Sequence, residues 1–343
     1  MLTLKVPPKK AEAARKLLRD KGLSLYGYSH FSRDGFFYLP LREKPSREDI
    51  ASLDGEVLES EFEKLKPRNL EEALREAGWS EADASIAPRA FDLVGDIAIL
   101  EVNKGLSGRE REIAAALMSV NSHIKVVAKK AGPVSGELRL RELKVIGGES
   151  RTVTTHHEAG CAFKVDVAKA WFSPRFVFER QRIASLVKPG EKILALFAGV
   201  GPYPVVIAKK QPASEIVAVE LNHEACEHMR ENLRLNRVTN VKVMEGDVRE
   251  VAPKNYANWA DRIIMPLPLG AGDFLDVALK AAKQGCVIHF YGTGKIEDPF
   301  GESLKAIEAA CKREGRKFKV LDERIVLPYA PGISRVAVDF EAD

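Results

Sequence analysis

From Lys192 to the end of the chain, apolar and polar positions follow two alternating periods. Short apolar runs predict strands at 192–197, 215–221, 241–244, 261–265 and 285–291. Helical spacing predicts helices at 203–210, 224–235 and 273–283, with another at 299–313. The tail reads as two final strands, 318–327 and 335–340. Strand and helix in strict alternation is the pattern of a doubly wound parallel sheet, so the expected class is α/β.

The residues before Lys192 lack that regularity. Residues 1–65 read as a small α/β unit, with strands at 2–6, 36–41 and 57–62, a helix at 11–20 stopped by Gly22, and a capped helix at 46–53. A linker at 66–69 leads to a helix at 70–77. The run FDLVGDIAILEV, 91–102, suggests a strand with a Gly-Asp turn or bulge inside it. A helix at 107–120 has Ser107 as its N-cap and Glu110 at capping-box spacing. Strand-like runs follow at 125–131, 136–145, 151–155 and 161–167, and a helix at 176–186. The expected domains are 1–65, a mixed middle domain at 70–168, and 169–343.

Composition removes some classes and adds little else. A chain of 343 residues with 45% hydrophobic residues is ordinary globular content. No apolar run approaches the roughly 18 residues of a membrane span, and the N-terminus lacks a signal peptide's apolar core, so an intracellular, cytoplasmic protein without a membrane partner is expected. Cys161, Cys226, Cys286 and Cys311 are too scattered for a zinc site or a disulfide framework, and no metal is expected. The formal charge is only +4, but basic residues gather at 139–151 and 164–182, compatible with a local positive surface. A solvated, salt-bridged face fits the composition equally well.

The candidate chemistry begins at Leu194–Pro204, LALFAGVGPYP, where a strand breaks into Phe197-Ala198-Gly199-Val200-Gly201 and a helix starts at Pro202. Glycines there let a ligand lie on the main chain, and the free N–H groups of the helix start face it. Glu220, followed by Leu221, ends the next strand and is placed to accept hydrogen bonds from ribose hydroxyls. Asp247, followed by Val248, brings another carboxylate to the same sheet edge. The turn lacks a full G-x-G-x-x-G and resembles the first motif of class I methyltransferases, which bind S-adenosylmethionine. The fourth strand ends in Met265-Pro266-Leu267-Pro268, where many amine-directed methyltransferases carry Asn or Asp before the prolines.

The runs RLREL (139–143), GGESRTVTTHHEAG (147–160), VDVAKAWFSPRFVFERQRI (165–183) and LFAGVGP closely resemble the archaeal and eukaryotic tRNA (guanine-N1)-methyltransferases, which modify the guanosine at position 37. The resemblance is strong over 90–340 and looser before. It implies a class I methyltransferase Rossmann-like sheet preceded by two smaller α/β (α+β) RNA-binding domains, with S-adenosylmethionine as cofactor, tRNA as partner and a functional monomer. It further implies Glu179 as general base for the N1 proton and Arg139 as partner of guanine O6. Phe197 to Gly201, Glu220, Leu221, Asp247, Val248 and Pro266 are implied at the cofactor. Arg175, Arg180, Arg141, Trp171 and His156 are implied at the RNA.

Blander readings stand beside these. Glu179 pairs as easily with Arg175 or Arg182 on a solvated helix face, and Trp171 with Phe172 suits packing as well as stacking on an extruded base. The chain departs from the family pattern at Ala195, where most members carry Asp, and at Pro266, where many carry Asn. The alternatives are a wyosine-pathway enzyme acting on the same nucleotide, by methyl or aminocarboxypropyl transfer, and a tRNA-binding protein with a degenerate cofactor pocket.

Overall fold

The computed structural model describes residues 1–343 except Glu137, Arg139, 212–214 and Pro268, and the side chains of Pro133, Val134, Ser135 and Arg141 also lie outside the description. The chain divides into two compact units. One comprises 1–91, 97–130 and 144–151, the other 92–96, 131–143 and 152–343.

The first unit opens with β1 (Leu2–Val6), α1 (Ala11–Asp20), β2 (Phe31–Arg33), β3 (Phe36–Pro40), α2 (Arg47–Ser52) and β4 (Glu56–Glu59). The strands form an antiparallel sheet in the order β2-β3-β1-β4. Leu4 and Val6 of the central strand meet Ala14 and Leu18 of α1, the inward residues of an alternating strand and an amphipathic helix. Gly22 takes φ +68° just past α1, and Leu23 N–H returns to Leu18 O at 2.8 Å, which closes the helix end. Ser46 caps α2 by accepting Asp49 N–H.

The chain continues through α3 (Leu70–Glu76), α4 (Glu81–Ser85), β5 (Phe91–Val94), β6 (Ile97–Leu100), α5 (Glu110–Val120), β7 (Val126–Ser135) and β8 (Leu140–Gly148). The Gly-Asp pair of FDLVGDIAILEV separates β5 from β6, with Gly95 at φ +56°. The expected start of α5 at Ser107 is corrected. Lys104–Leu106 forms a separate turn of 3-10 helix, and Glu110 accepts Gly108 N–H at 2.8 Å, so the capping box at Ser107 is not made.

The larger unit contains a hairpin of β9 (Val153–Glu158) and β10 (Cys161–Asp166), then α6 (Val177–Leu186). Its main sheet follows: β11 (Lys192–Leu196), α7 (Pro202–Lys210), β12 (Glu215–Glu220), α8 (His223–Leu235), β13 (Val241–Glu245), α9 (Val248–Tyr256), β14 (Ala260–Met265), α10 (Leu275–Ala281), β15 (Ala282–Lys295), α11 (Gly301–Arg313), β16 (Phe318–Ala330) and β17 (Ile333–Ala342). The strand order is β13-β12-β11-β14-β15-β17-β16, parallel through β15, with the last two antiparallel. After β13 the chain returns across the sheet to add β14 on the far side of β11. That reversal leaves a crevice at the carboxyl ends of β11 and β14, where open α/β sheets hold ligands.

Strand alternation sorts the two faces. Leu194, Leu196, Val217 and Val219 enter one apolar cluster with α9, α10 and α11, while Ile193 and Ile216 enter another with α6 and α7. Ala195 is buried beside Ala198, Ala218, Cys226 and Met229. All four cysteines are free and buried, and burial pushes the Cys226 and Cys286 thiols up to about 12. Among the described residues, no helix is long and apolar enough to cross a membrane.

Candidate functional site

The glycine turn occupies the crevice. Gly199 and Gly201 take φ +57° and +86°, and Phe197 before them takes φ +55°, a conformation uncommon for a side chain with a Cβ. The Phe197 ring meets Phe274 edge-on with centroids 4.9 Å apart. A Cβ on Gly201 would lie 2.7 Å from Met229 Cγ, so the requirement for glycine there is steric as well as conformational. Ala198 and Val200 are buried, and Val200 O accepts Asn232 Nδ2–H at 2.9 Å, which ties the turn to α8.

Glu220 sits at the tip of β12 with its carboxylate turned back onto the turn. Oε2 accepts Gly199 N–H at 2.7 Å and Oε1 accepts Asn222 N–H at 2.9 Å. Burial raises its carboxyl above the ordinary value, and these backbone donors partly offset that rise. Each oxygen keeps a further lone pair for a hydroxyl donor. Leu221 beside it is exposed. Asp247 caps α9 by accepting Arg249 N–H at 2.8 Å, and the Arg249 guanidinium, 2.9 Å from Oδ2, holds the carboxyl below its usual range. The Val248 side chain belongs to the apolar core, so only its backbone faces the strand end. Pro266 is half-buried directly after β14, and Met265 O accepts Leu267 N–H at 2.8 Å, so that carbonyl is already engaged in a tight turn.

These features fit a nucleoside. The main chain is bare at Gly199, and a desolvated carboxylate stands where ribose hydroxyls would donate.

Glu179 lies on α6, 6% exposed, which removes the solvated-face reading. Its Oε1 accepts Tyr291 O–H and Arg182 Nη2–H, both at 2.6 Å, and its Oε2 accepts Arg182 Nε–H at 3.0 Å. Tyr203, in the first turn of α7, donates to Tyr291 Oη at 3.3 Å, so two hydroxyls link Glu179 to the helix that leaves the glycine turn. Burial pushes the Tyr203 and Tyr291 phenols above their ordinary value, which keeps both as neutral donors.

Behind Glu179 runs a chain of buried charge. Arg182 Nη1 donates to Asp339 Oδ2 at 2.6 Å, Asp339 Oδ1 lies 2.7 Å from His289 Nδ1, and His289 Nε2 lies 2.7 Å from Arg262 Nη1. Arg262 then grips Glu191 through Nε and Nη2, at 2.7 and 2.9 Å. A guanidinium only donates, so Nε2 of His289 is an acceptor and the imidazole is neutral. Sequence reasoning missed Tyr291, Asp339 and His289. They stand on strands more than a hundred residues from Glu179, and apolar neighbours mask them in the sequence.

The residues implied at RNA separate into two groups. Trp171 is 41% exposed, against the edge of Phe176, and Arg175 is exposed with Nε 2.7 Å from Asp92 Oδ1. Arg180 requires correction. It is 1% exposed, donating to Glu158 Oε1 at 2.6 Å and to Ser173 O at 2.8 Å, beneath the Phe172 ring. No face of it is left for a nucleotide, and its work is to fix the segment before α6. His156 is half-buried, and its Nδ1 accepts Gly95 N–H at 3.1 Å, which assigns the remaining ring proton to Nε2. Arg141 lies on β8 with its side chain outside the description, and Arg139 lies wholly outside the described residues.

Comparison with known proteins agrees with this geometry. Residues 154–321 match the TRM5/TYW2 methyltransferase domain, 70–152 the TYW2 N-terminal domain, and 3–49 the tRNA methyltransferase 5 N-terminal domain. The chain is similar to the tRNA (guanine(37)-N(1))-methyltransferase Trm5b of Pyrococcus abyssi, 37% identical over 99% of this chain and 98% of that one. It is 32% identical to the tRNA(Phe) (4-demethylwyosine(37)-C(7)) aminocarboxypropyltransferase of Pyrococcus horikoshii, over 80% of this chain and 96% of that one. A solved structure described as the complex of aTrm5 and tRNALeu superposes with a TM-score of 0.70 at 32% identity, covering 99% of each chain. With a glycine turn at the switch point, a carboxylate at the next strand tip and this full-length likeness, the chain belongs to the TRM5/TYW2 methyltransferase family.

Proposed function

We propose that the protein transfers a methyl group from S-adenosylmethionine to N1 of the guanosine at position 37 of tRNA. The observation that carries this reading is full-length likeness to a guanine-N1 methyltransferase, N-terminal unit included, against 80% coverage for the aminocarboxypropyl relative. S-adenosylmethionine supplies an electrophilic methyl group on a sulfonium centre.

The chain's own residues handle position and proton. Gly199 and Gly201 offer bare backbone, Glu220 and Asp247 stand ready for hydroxyl and amino donors, and Phe197, Ala198, Val200, Leu221, Val248 and Pro266 line the same strand ends. N1 of guanine carries a proton that must leave as the N–C bond forms. Glu179 is the proposed acceptor, through Oε2, the oxygen with one hydrogen bond rather than two. Arg139 is the proposed partner of O6, where charge accumulates. Reaching N1 requires the base to leave the stack. In this reading 1–65 grips tRNA, 70–168 contributes to RNA binding and the active site, and 169–343 holds the methyl donor, within the cytoplasm.

The test is nucleoside mass spectrometry of an unmodified tRNA transcript incubated with protein and S-adenosylmethionine. 1-Methylguanosine at position 37 is expected. An aminocarboxypropylated nucleoside, a methylated base elsewhere, or no product would defeat the reading.

A further inference from the structure

Arg335 on β17 is a half-buried guanidinium with no acceptor among the described residues. Its carbon lies 5.0 Å from the Tyr329 ring centroid, 5.5 Å from Phe176 and 5.8 Å from Trp171. Among the described residues, no carboxylate pairs with it and no oxygen receives its N–H groups, whereas Arg175, Arg180, Arg182, Arg262 and Arg324 each hold a carboxylate. Burial lowers its proton affinity, Tyr329 offsets part of that fall, and the charge of Arg175 lowers it further. A desolvated charge without a partner is costly, and a fork of planar donors is suited to an oxyanion.

Two of the rings that hold it remain open to solvent, Trp171 at 41% and Tyr329 at 43%. The backbone of Trp171 reaches the crevice, since a Cβ built on Gly199 would lie 3.6 Å from Trp171 O. A fixed guanidinium between exposed aromatic faces is the chemistry that holds single-stranded nucleic acid, one part for the phosphodiester and one for the base.

We propose that Arg335 binds a phosphodiester of the RNA strand at the crevice, with Trp171 and Tyr329 as stacking faces for the flanking base. This deepens the proposed tRNA reading and rests on it. The partner is single-stranded RNA rather than an acidic peptide, because two open rings beside the cation suit bases and a carboxylate needs none.

The experiment measures binding of an unmodified tRNA transcript by fluorescence anisotropy at several salt concentrations, for wild type, Arg335→Gln, Arg335→Lys and Trp171→Ala. Arg335→Gln is expected to weaken binding about tenfold and to make the log–log salt slope shallower by roughly 0.7 to 0.9, one phosphate contact. Arg335→Lys should keep the slope while losing part of the affinity, and Trp171→Ala should weaken binding with the slope unchanged. Calorimetric affinity for S-adenosylmethionine and the unfolding temperature of Arg335→Gln should match wild type or exceed it. Unchanged tRNA affinity and slope in Arg335→Gln would overturn the proposal. So would loss of cofactor affinity with tRNA binding intact, which would assign the guanidinium to a cofactor carboxylate. If Arg335→Gln unfolds, an Arg335→Lys variant with tRNA affinity equal to wild type, or with a shallower slope, overturns it as well. These binding assays require no product, so a wild type that binds tRNA but makes no 1-methylguanosine separates failure of the reaction assignment from failure of this one.

Discussion

Tyr291 donates a 2.6 Å hydrogen bond to Glu179 across a sequence separation of 112 residues. The phenol and Arg182 together hold one carboxylate oxygen, so the orientation of the other is set by β15 as much as by α6.

Glu179→Gln keeps the shape of the side chain and removes its ability to take a proton. Single-turnover methyl transfer should fall by about 10²- to 10⁴-fold, while calorimetric affinity for S-adenosylmethionine stays near wild type. Tyr291→Phe, which deletes only the orienting donor, should cost about tenfold in the same step. Equal losses in rate and cofactor affinity would mean that Glu179 serves the fold alone.

Acid stability should fall in two stages. Burial holds neutral His289 below its ordinary value, so the unfolded chain takes up that proton first and stability declines once pH drops below about 6.5. Burial pushes the Asp339 carboxyl up, but His289 and Arg182 outweigh it and leave the group well below its usual range. Its contribution is therefore complete above about pH 4 to 5 and is lost on further acidification. Each group adds a slope of at most about 1.4 kcal/mol per pH unit. Urea unfolding from pH 8 to pH 3 reads both stages, and His289→Gln should abolish the upper one. A flat stability between pH 7 and pH 5 in the wild type is the contrary result.

The two glycines of the turn should fail differently on substitution by alanine. At Gly201 a Cβ would meet Met229 Cγ at 2.7 Å in a left-handed conformation, so Gly201→Ala should destabilise by about 2 to 4 kcal/mol. At Gly199 the nearest atom to a Cβ is 3.6 Å away, leaving only the backbone strain of about 1 to 2 kcal/mol. Gly199→Ala should therefore fold and bind S-adenosylmethionine more weakly. Thermal unfolding with calorimetry distinguishes them, and the reverse ranking would contradict this account.

Local chemistry was legible along the chain. The strand and helix order, the glycine turn, the position of Glu220 and the cap at Ser46 depend on neighbours within a few residues, and pattern reads those directly. Helix α9 was not legible, because Pro253 in its interior reads as a helix breaker, and α5 begins three residues late because Glu110 accepts the Gly108 N–H instead of closing a capping box with Ser107. A short capped helix, α4, and strand β2 were too brief to leave a period.

Sequence alone determined the class of the fold and the place of the glycine turn, and Glu179 was singled out by resemblance. Only tertiary structure decided what surrounds each charge. It buried Arg180 against Glu158, turned Glu179 from a surface helix residue into one end of a buried chain through Arg182, Asp339 and His289, and left Arg335 between rings without an anion. The physical reason is that desolvation and charge pairing depend on distance in space, and the partners here come from strands that sequence spacing does not bring together.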